Sequence, residues 1–294
     1  MSLMCELVGS ISIRRAGMRD LSNILRIHEE SFKELSSEDP GWFRALIESK
    51  SKRLVFLVIE VDGRVVGYCL AYRSRSRGYI ENIAVKGDYR GLSLGSKLLS
   101  EVERVLVERG VREVYLAVKD WNTSAVNFYL KHGYRVKGVV FWLSGSPERI
   151  STRNPSSEYT VIDVSASKIR QRLKHHSSTW SSLVDDVDQY IYRKKLYRAE
   201  RALVVKKRSR VVAYALYSIN SEIIVDTIAL STYSLLEPVE VVINSLGNMA
   251  RAHGVKNIEI PVDASKHKLI ELLVNQGFRV KETEYLLRKN LNDA

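Results

Sequence analysis

The stretch Tyr79-Ile-Glu-Asn-Ile-Ala-Val-Lys-Gly-Asp-Tyr-Arg-Gly-Leu-Ser-Leu-Gly-Ser-Lys-Leu-Leu99 sets a β-rich run, a loop of small residues and a helical pattern in immediate succession. That order builds an anion site. The first backbone N–H groups of a helix lack an intrahelical acceptor, and the helix dipole favours negative charge at that end. Gly91 and Gly95 let a phosphate approach the backbone closely, although glycines before a helix also serve as plain turn residues. Glu81 lies two residues before Ile83 on the same run. Strand alternation puts both side chains on one face, so Glu81 is either a general base or a solvated strand carboxylate.

These residues need a frame. Leu54 to Val61 and Arg64 to Tyr72 read as strands joined through Asp62-Gly63, a strong hairpin signal, and Tyr79 to Val85 as a third strand. Leu98, Leu99, Val102, Val105 and Leu106 recur at helical spacing, which predicts a helix over Ser96 to Glu108 ended by Gly110. Val111 to Val118 follows as a strand, then a helix near Ala125 to Lys131 that stops at Gly133. Strands interleaved with helices in this order give a layered α/β domain.

The same order is written twice, at an offset of 144 to 146 residues. Arg64-Val-Val-Gly-Tyr-Cys-Leu-Ala-Tyr72 aligns with Arg210-Val-Val-Ala-Tyr-Ala-Leu-Tyr-Ser218, and Ile80-Glu-Asn-Ile-Ala-Val85 with Val225-Asp-Thr-Ile-Ala-Leu230. Arg109-Gly-Val-Arg-Glu-Val-Tyr-Leu-Ala-Val118 aligns with His253-Gly-Val-Lys-Asn-Ile-Glu-Ile-Pro-Val262, and Gly133-Tyr-Arg-Val-Lys137 with Gly277-Phe-Arg-Val-Lys281. Four matches in one order predict a duplicated domain, residues 1–147 and 156–294, with the boundary in the Ser/Pro-containing stretch Ser144 to Ser157. Glu158 to Val164 can close the first sheet or open the second.

Arg90-x-x-x-x-Gly95, after a strand ending in Ile83-Ala84-Val85, resembles the pyrophosphate loop of the GNAT superfamily of acyl-CoA N-acyltransferases. Trp121-Asn-Thr-Ser-Ala-Val-Asn-Phe-Tyr-Leu-Lys-His-Gly-Tyr134 resembles that superfamily's second signature, Asn-x-x-Ala-x-x-x-Tyr followed by Gly-Phe/Tyr. Ile13-Arg-Arg-Ala16 with Asp20 looks like its opening strand and helix, so the resemblance covers most of residues 11–143. It implies two tandem domains, each a mixed, mostly antiparallel sheet flanked by helices, and acetyl-CoA as cosubstrate without a metal. Backbone groups of Ile83, Ala84 and Val85 would pair with the pantetheine arm like an added strand. The N–H groups of the loop Arg90, Gly91, Leu92, Ser93, Leu94, Gly95 and Ser96 would take the pyrophosphate. Asn122 would bond the cofactor arm, and Lys131 would reach the phosphates or stay solvated. Ser93 stands where the family usually has its first glycine, which puts affinity in question.

The implied reaction is attack of an amine on a thioester, and the amine must first lose a proton. At pH 7 that costs roughly 4 kcal/mol for an amine of pKa about 10, and about 1.4 kcal/mol for an α-amino group near 8. Glu81 is the candidate base. Its Tyr-Ile-Glu-Asn setting resembles the Tyr-Leu-Glu-Asp of spermidine/spermine N-acetyltransferases, whose glutamate works through water. Tyr129 matches the family phenol that protonates the departing thiolate, a role suited to a weak acid; the alternative is an aromatic packed beside Phe128. The backbone N–H of Val85 would hold the oxyanion.

In the second copy Tyr129 falls on Leu273 and Asn122 on Lys266, and Ser231-Thr-Tyr-Ser-Leu-Leu-Glu-Pro238 replaces the phosphate loop. Asp226 falls at the Glu81 position. A degenerate copy that does not bind acetyl-CoA in the usual way is expected.

Composition limits the alternatives. The 294 residues carry a formal charge of +12, which invites a nucleic-acid partner, but acidic residues are interleaved throughout and no Lys/Arg block stands out. A basic nucleic-acid-binding protein or a non-catalytic acyl-CoA sensor on the same scaffold is the competing reading. The 2 cysteines, Cys5 and Cys69, suit a reducing compartment, and no apolar stretch is long enough for a membrane span or signal peptide, so a cytoplasmic protein is expected. The acceptor stays open between a protein N terminus, suggested by a resemblance of Asn82-Ile-Ala-Val85 to N-terminal acetyltransferases, and a small polyamine-like amine. Acceptor choice is expected in the loop around Glu34 to Trp42 and after Gly133, in a monomer or homodimer.

Overall fold

The computed structural model describes residues 9–32, 40–49, 51–150, 158–170, 172–181 and 201–293. Cys5, residues 34–39 of the acceptor loop and residues 151–157 of the boundary stretch lie outside the described residues. The chain forms two compact units. One comprises residues 1–116, 131–134 and 288–294, the other residues 117–130 and 135–287.

In the first unit, β1 (Ile11–Arg15), β2 (Leu54–Val61), β3 (Arg64–Ser74), β4 (Arg77–Val85) and the start of β5 (Glu113–Lys119) lie side by side in that order. All pairings are antiparallel except β4 with β5. Asp62 and Gly63 both take positive φ, 48° and 73°, which is the turn that the Asp-Gly pair predicts. Tyr68 meets α1 (Leu21–Ser31) through His28, while its neighbour Cys69 lies toward Glu103 of α3 (Leu94–Glu108). Successive strand residues face opposite ways, so α1 and α3 cover opposite faces. α2 (Pro40–Glu48) adds Phe43 to an aromatic core with Phe56 and Tyr68. Arg14 clamps the start of the fold, forking onto buried Asp20 at 2.7 and 2.8 Å and onto Glu60.

α4 (Thr123–Lys131) and β6 (Arg135–Gly145) follow β5 in the chain. In the second unit β6 pairs antiparallel with β12 (Ile258–Asp263), Val140 opposite Asp263 through Gly145 opposite Ile258. Beyond β12 come β11 (Ile223–Leu230), β10 (Arg210–Ile219), β9 (Arg201–Lys207) and β7 (Tyr159–Ser165). β7 pairs with β9 as β1 does with β2, so the ambiguous run at 158–164 opens the second sheet. Helices Glu237–Ala252 and His267–Asn275 repeat α3 and α4. β13 (Arg279–Asn290) lies beside β6 and ends in the first unit, where Leu291 N–H donates to Arg112 O at 2.8 Å and Lys289 pairs with Glu103 at 2.6 Å. The final strand of the first repeat thus belongs to the second unit, and the last residues of the second repeat to the first.

The repeat extends to irregularities. Between β3 and β4 the register shifts so that Asn82 faces Leu70 and Ile80 faces Ala71, which leaves Glu81 as the extra residue of a β-bulge. Between β10 and β11, Thr227 faces Leu216 and Val225 faces Tyr217, leaving Asp226 in the equivalent bulge.

Candidate active site

β4 and β5 pair only from Arg77 opposite Glu113 to Tyr79 opposite Tyr115. Past that point β4 keeps β3 on one side and, among the described residues, has an open edge on the other. Lys86 N–H donates to Val66 O at 2.8 Å, which fixes the alternation of the ladder. Ala84 opposite Tyr68 is a hydrogen-bonded pair, whereas Val85 opposite Gly67 and Ile83 opposite Cys69 are not. The N–H and C=O groups of Ile83 and Val85 therefore point to the open edge, and those of Ala84 are engaged by β3. Ala84 is the one member of the expected trio with no backbone group left for an added strand.

The chain leaves β4 through a 3-10 turn at Gly87–Tyr89 and enters α3 at Leu94. Arg90 Nε donates to Val85 O at 3.0 Å, and a second guanidinium nitrogen lies 3.4 Å from Ser31 Oγ. The Arg90 side chain thus braces the turn against its own strand. Gly91 has φ +79° and Ser93 φ +58°. Ser93 is the N-cap of α3 and makes no side-chain capping bond. The left-handed backbone at this position is the reason a glycine suits it. Among the described residues, the N–H groups of Gly91 through Ser96 donate to no carbonyl outside the helix, and Gly91, Leu92 and Ser93 are exposed while Leu94 is anchored in the core. Two left-handed residues before a helix start turn successive N–H groups toward one concavity, the arrangement that binds a phosphate.

Glu81 is half-buried at the bulge, directly upstream of the open edge. The bulge breaks the alternation used to align Glu81 with Ile83, and re-aims the side chain. Asn122 caps α4, its Oδ1 accepting from Ala125 N–H at 3.1 Å, and Tyr129 is buried on the inner side of that helix with its ring edge-on to Phe128 at 5.2 Å. Glu81, the β4 edge, the turn from Gly91 to Ser96 and exposed Lys131 belong to the first unit, Asn122 and Tyr129 to the second. Sequence reasoning missed the bulge, the Arg90 brace and Gly67, where a Cβ would stand 2.8 Å from Ala84 O, so that β3 and β4 can close up only with glycine there. A separate cavity of about 580 Å³ in the first unit lies beside α1 and is lined by Arg14, Asp20, Arg26, Arg64, Lys86 and Tyr89; it includes neither Glu81 nor the turn from Gly91 to Ser96. Among the described residues no group of three or more His, Cys, Asp and Glu could hold a metal, and no helix is long and apolar enough to cross a membrane.

A strand edge opened by the divergence of two parallel strands, next to a helix start whose first N–H groups lack a carbonyl partner, is an arrangement in a layered α/β protein that can take an extended ligand with an anionic end. Residues 21–134 match the acetyltransferase (GNAT) family. The chain is 34% identical over 137 residues to the thialysine N-epsilon-acetyltransferase of Bos taurus, covering 40% of this chain and 81% of that protein. It is 31% identical over 142 residues to an N-alpha-acetyltransferase of Sulfurisphaera tokodaii, covering 44% and 82%. Across both halves, a tandem GNAT protein from the clavulanic acid biosynthesis pathway superposes with a TM-score of 0.68 at 10% identity, covering 96% of this chain and 99% of that one, which shows the tandem fold. The chain belongs to the GNAT family and is an acyl-CoA-dependent N-acetyltransferase.

Proposed function

We propose that the first copy binds acetyl-CoA along the open edge of β4 and transfers its acetyl group to a primary amine, either a protein α-amino group or a small polyamine-like acceptor. The observation that carries this reading is the continuity between the outward-facing N–H and C=O of Ile83 and N–H of Val85 and the N–H groups of Gly91 to Ser96, which among the described residues donate to no carbonyl outside the helix. Acetyl-CoA supplies the activated acyl group. Ile83 and Val85 would hold its arm as a strand is held, and the start of α3 would neutralise its phosphates. Asn122 would bond the arm, and Lys131, exposed at the end of α4, would add a charge toward the phosphates.

Glu81 would take the proton of the incoming ammonium, directly or through water. Val85 N–H would stabilise the oxyanion, and Tyr129 would return a proton to the departing thiolate. The base has less to do for an α-amino group, whose deprotonation at pH 7 costs about 1.4 kcal/mol against roughly 4 for an alkylamine.

Calorimetric titration with acetyl-CoA, paired with a thioester-loss assay on peptides with free N termini and on spermidine, tests this. One site per chain is expected, retained in Glu81→Gln and Tyr129→Phe, with turnover reduced on the order of 10²–10⁴-fold. Binding without turnover on any amine would sink the transfer reading, and unimpaired turnover in Tyr129→Phe would remove that residue from its role.

A further inference from the structure

The second copy has the same split between parallel strands. β11 and β12 pair only at Ile223 opposite Ile258 and Ile224 opposite Glu259. Ser231 N–H donates to Val212 O at 2.9 Å, so the alternation that frees Ile83 and Val85 in β4 frees Ile228 and Leu230, their counterparts, in β11.

Here the edge is filled by the chain itself. The short strand β8 (His175–His176) lies antiparallel on β11, His176 opposite Ala229 and His175 opposite Leu230. Ser177 continues it: its N–H donates to Ile228 O at 2.8 Å and its Oγ accepts from Ile228 N–H at 3.2 Å. On the other wall Ser177 O accepts from Asp263 N–H of β12 at 2.9 Å, and Thr179 Oγ1 donates to Asp263 Oδ2 at 2.9 Å. The segment thus bridges both lips of the split. The loop that replaces the phosphate turn completes the enclosure, Tyr233 donating its hydroxyl to His176 O and packing edge-on to the His175 ring at 5.1 Å. Lys266, at the Asn122 position, lies over the Tyr233 ring at 4.8 Å. Ser177 and Ser178 are fully buried.

We propose that the second copy is a peptide-binding groove, occupied in cis by His175–Thr179 where the first copy keeps its open edge. Recognition is by β-augmentation, with main-chain bonds to β11 and β12 and the Ser177 hydroxyl standing in for a second backbone acceptor. Every group that could pair with an acyl-CoA arm there is engaged by protein, so the groove admits no cosubstrate.

Amide hydrogen exchange on the full chain, without and with saturating acetyl-CoA, tests this. In the free protein the amides of Ser177, Ile228 and Asp263 should exchange as slowly as the core of β10 and β11, and acetyl-CoA should not change them. Ser177→Ala keeps the backbone bonds and removes only the acceptor for Ile228 N–H, so Ile228 alone should exchange at least about tenfold faster. Rapid exchange at Ser177 or Asp263, an unaltered Ile228 in the variant, or faster exchange of these amides on adding acetyl-CoA would each overturn the proposal. The measurements on the free protein do not depend on acetyl-CoA binding and so fail separately from the proposed function of the first copy.

Discussion

Arg90 donates through Nε to the carbonyl of Val85 at 3.0 Å, tying the turn before α3 to the strand that leads into it. An exposed hydrogen bond of this kind contributes little to global stability, on the order of 1 kcal/mol, but it fixes where six N–H groups point. Arg90→Ala should therefore weaken acetyl-CoA binding about tenfold by calorimetry while leaving the melting temperature nearly unchanged. Arg90→Lys should not restore affinity, because an ammonium lacks the guanidinium's flat, directional Nε–H donor.

Ser93 holds φ +58° without any capping bond from its hydroxyl. An L-residue in the left-handed region costs about 1–2 kcal/mol, part of which glycine returns as unfolded-state entropy. Ser93→Gly should stabilise the protein by about 0.5–1 kcal/mol, seen as a rise of roughly 1–4 °C in melting temperature, and should bind acetyl-CoA at least as tightly as the parent. A β-branched residue suits positive φ least, so Ser93→Val should lower both.

The contrast between these two residues shows what the sequence made legible. Glycine spacing and helical periodicity located the turn and α3, and the Asp62-Gly63 pair located the hairpin, because each depends on local backbone preference. The bulge at Glu81 does not: it is a property of register between β3 and β4, and neither strand carries a residue that announces it. The placement of β6 beside β12 was also hidden, since Arg135–Gly145 and Arg279–Asn290 repeat the same pattern and alternation alone does not choose their neighbours. His175-His-Ser-Ser-Thr179 has loop composition and becomes a strand only because two diverging strands offer it edges.

His28 sits in the aromatic core with Nδ1 2.7 Å from the Tyr68 hydroxyl, and burial pushes its pKa down to about 4. The unfolded chain, with a histidine near 6.5, takes up a proton that the folded one refuses, so stability falls as pH drops from about 6.5 to 4 and is flat outside that window for this group. The loss is on the order of 3 kcal/mol. Urea unfolding at pH 7.0 and at about pH 4.5 should show a markedly smaller difference in His28→Gln than in the parent, since glutamine keeps a partner for Tyr68 and does not titrate.

Asp20 is buried and doubly bonded by Arg14, whose guanidinium holds its carboxyl below the ordinary carboxylate range. Glu60 accepts from the same guanidinium, so one arginine joins β1, β2 and the entry to α1. Removing the charge of Asp20 leaves that fork with one partner. Asp20→Asn should cost about 2–4 kcal/mol at pH 7, below the range for a fully buried pair because Arg14 retains some solvent. The depressed pKa gives the sign of the pH dependence. Stability from this pair is present in full above about pH 4, the unfolded value, and disappears as pH falls through the lower folded value. The parent should therefore show a steep acid limb below about pH 4 in which the Asn variant converges on it, whereas a variant that lost the same stability at every pH would mean that packing around Asp20, not its charge, holds the N-terminal clamp.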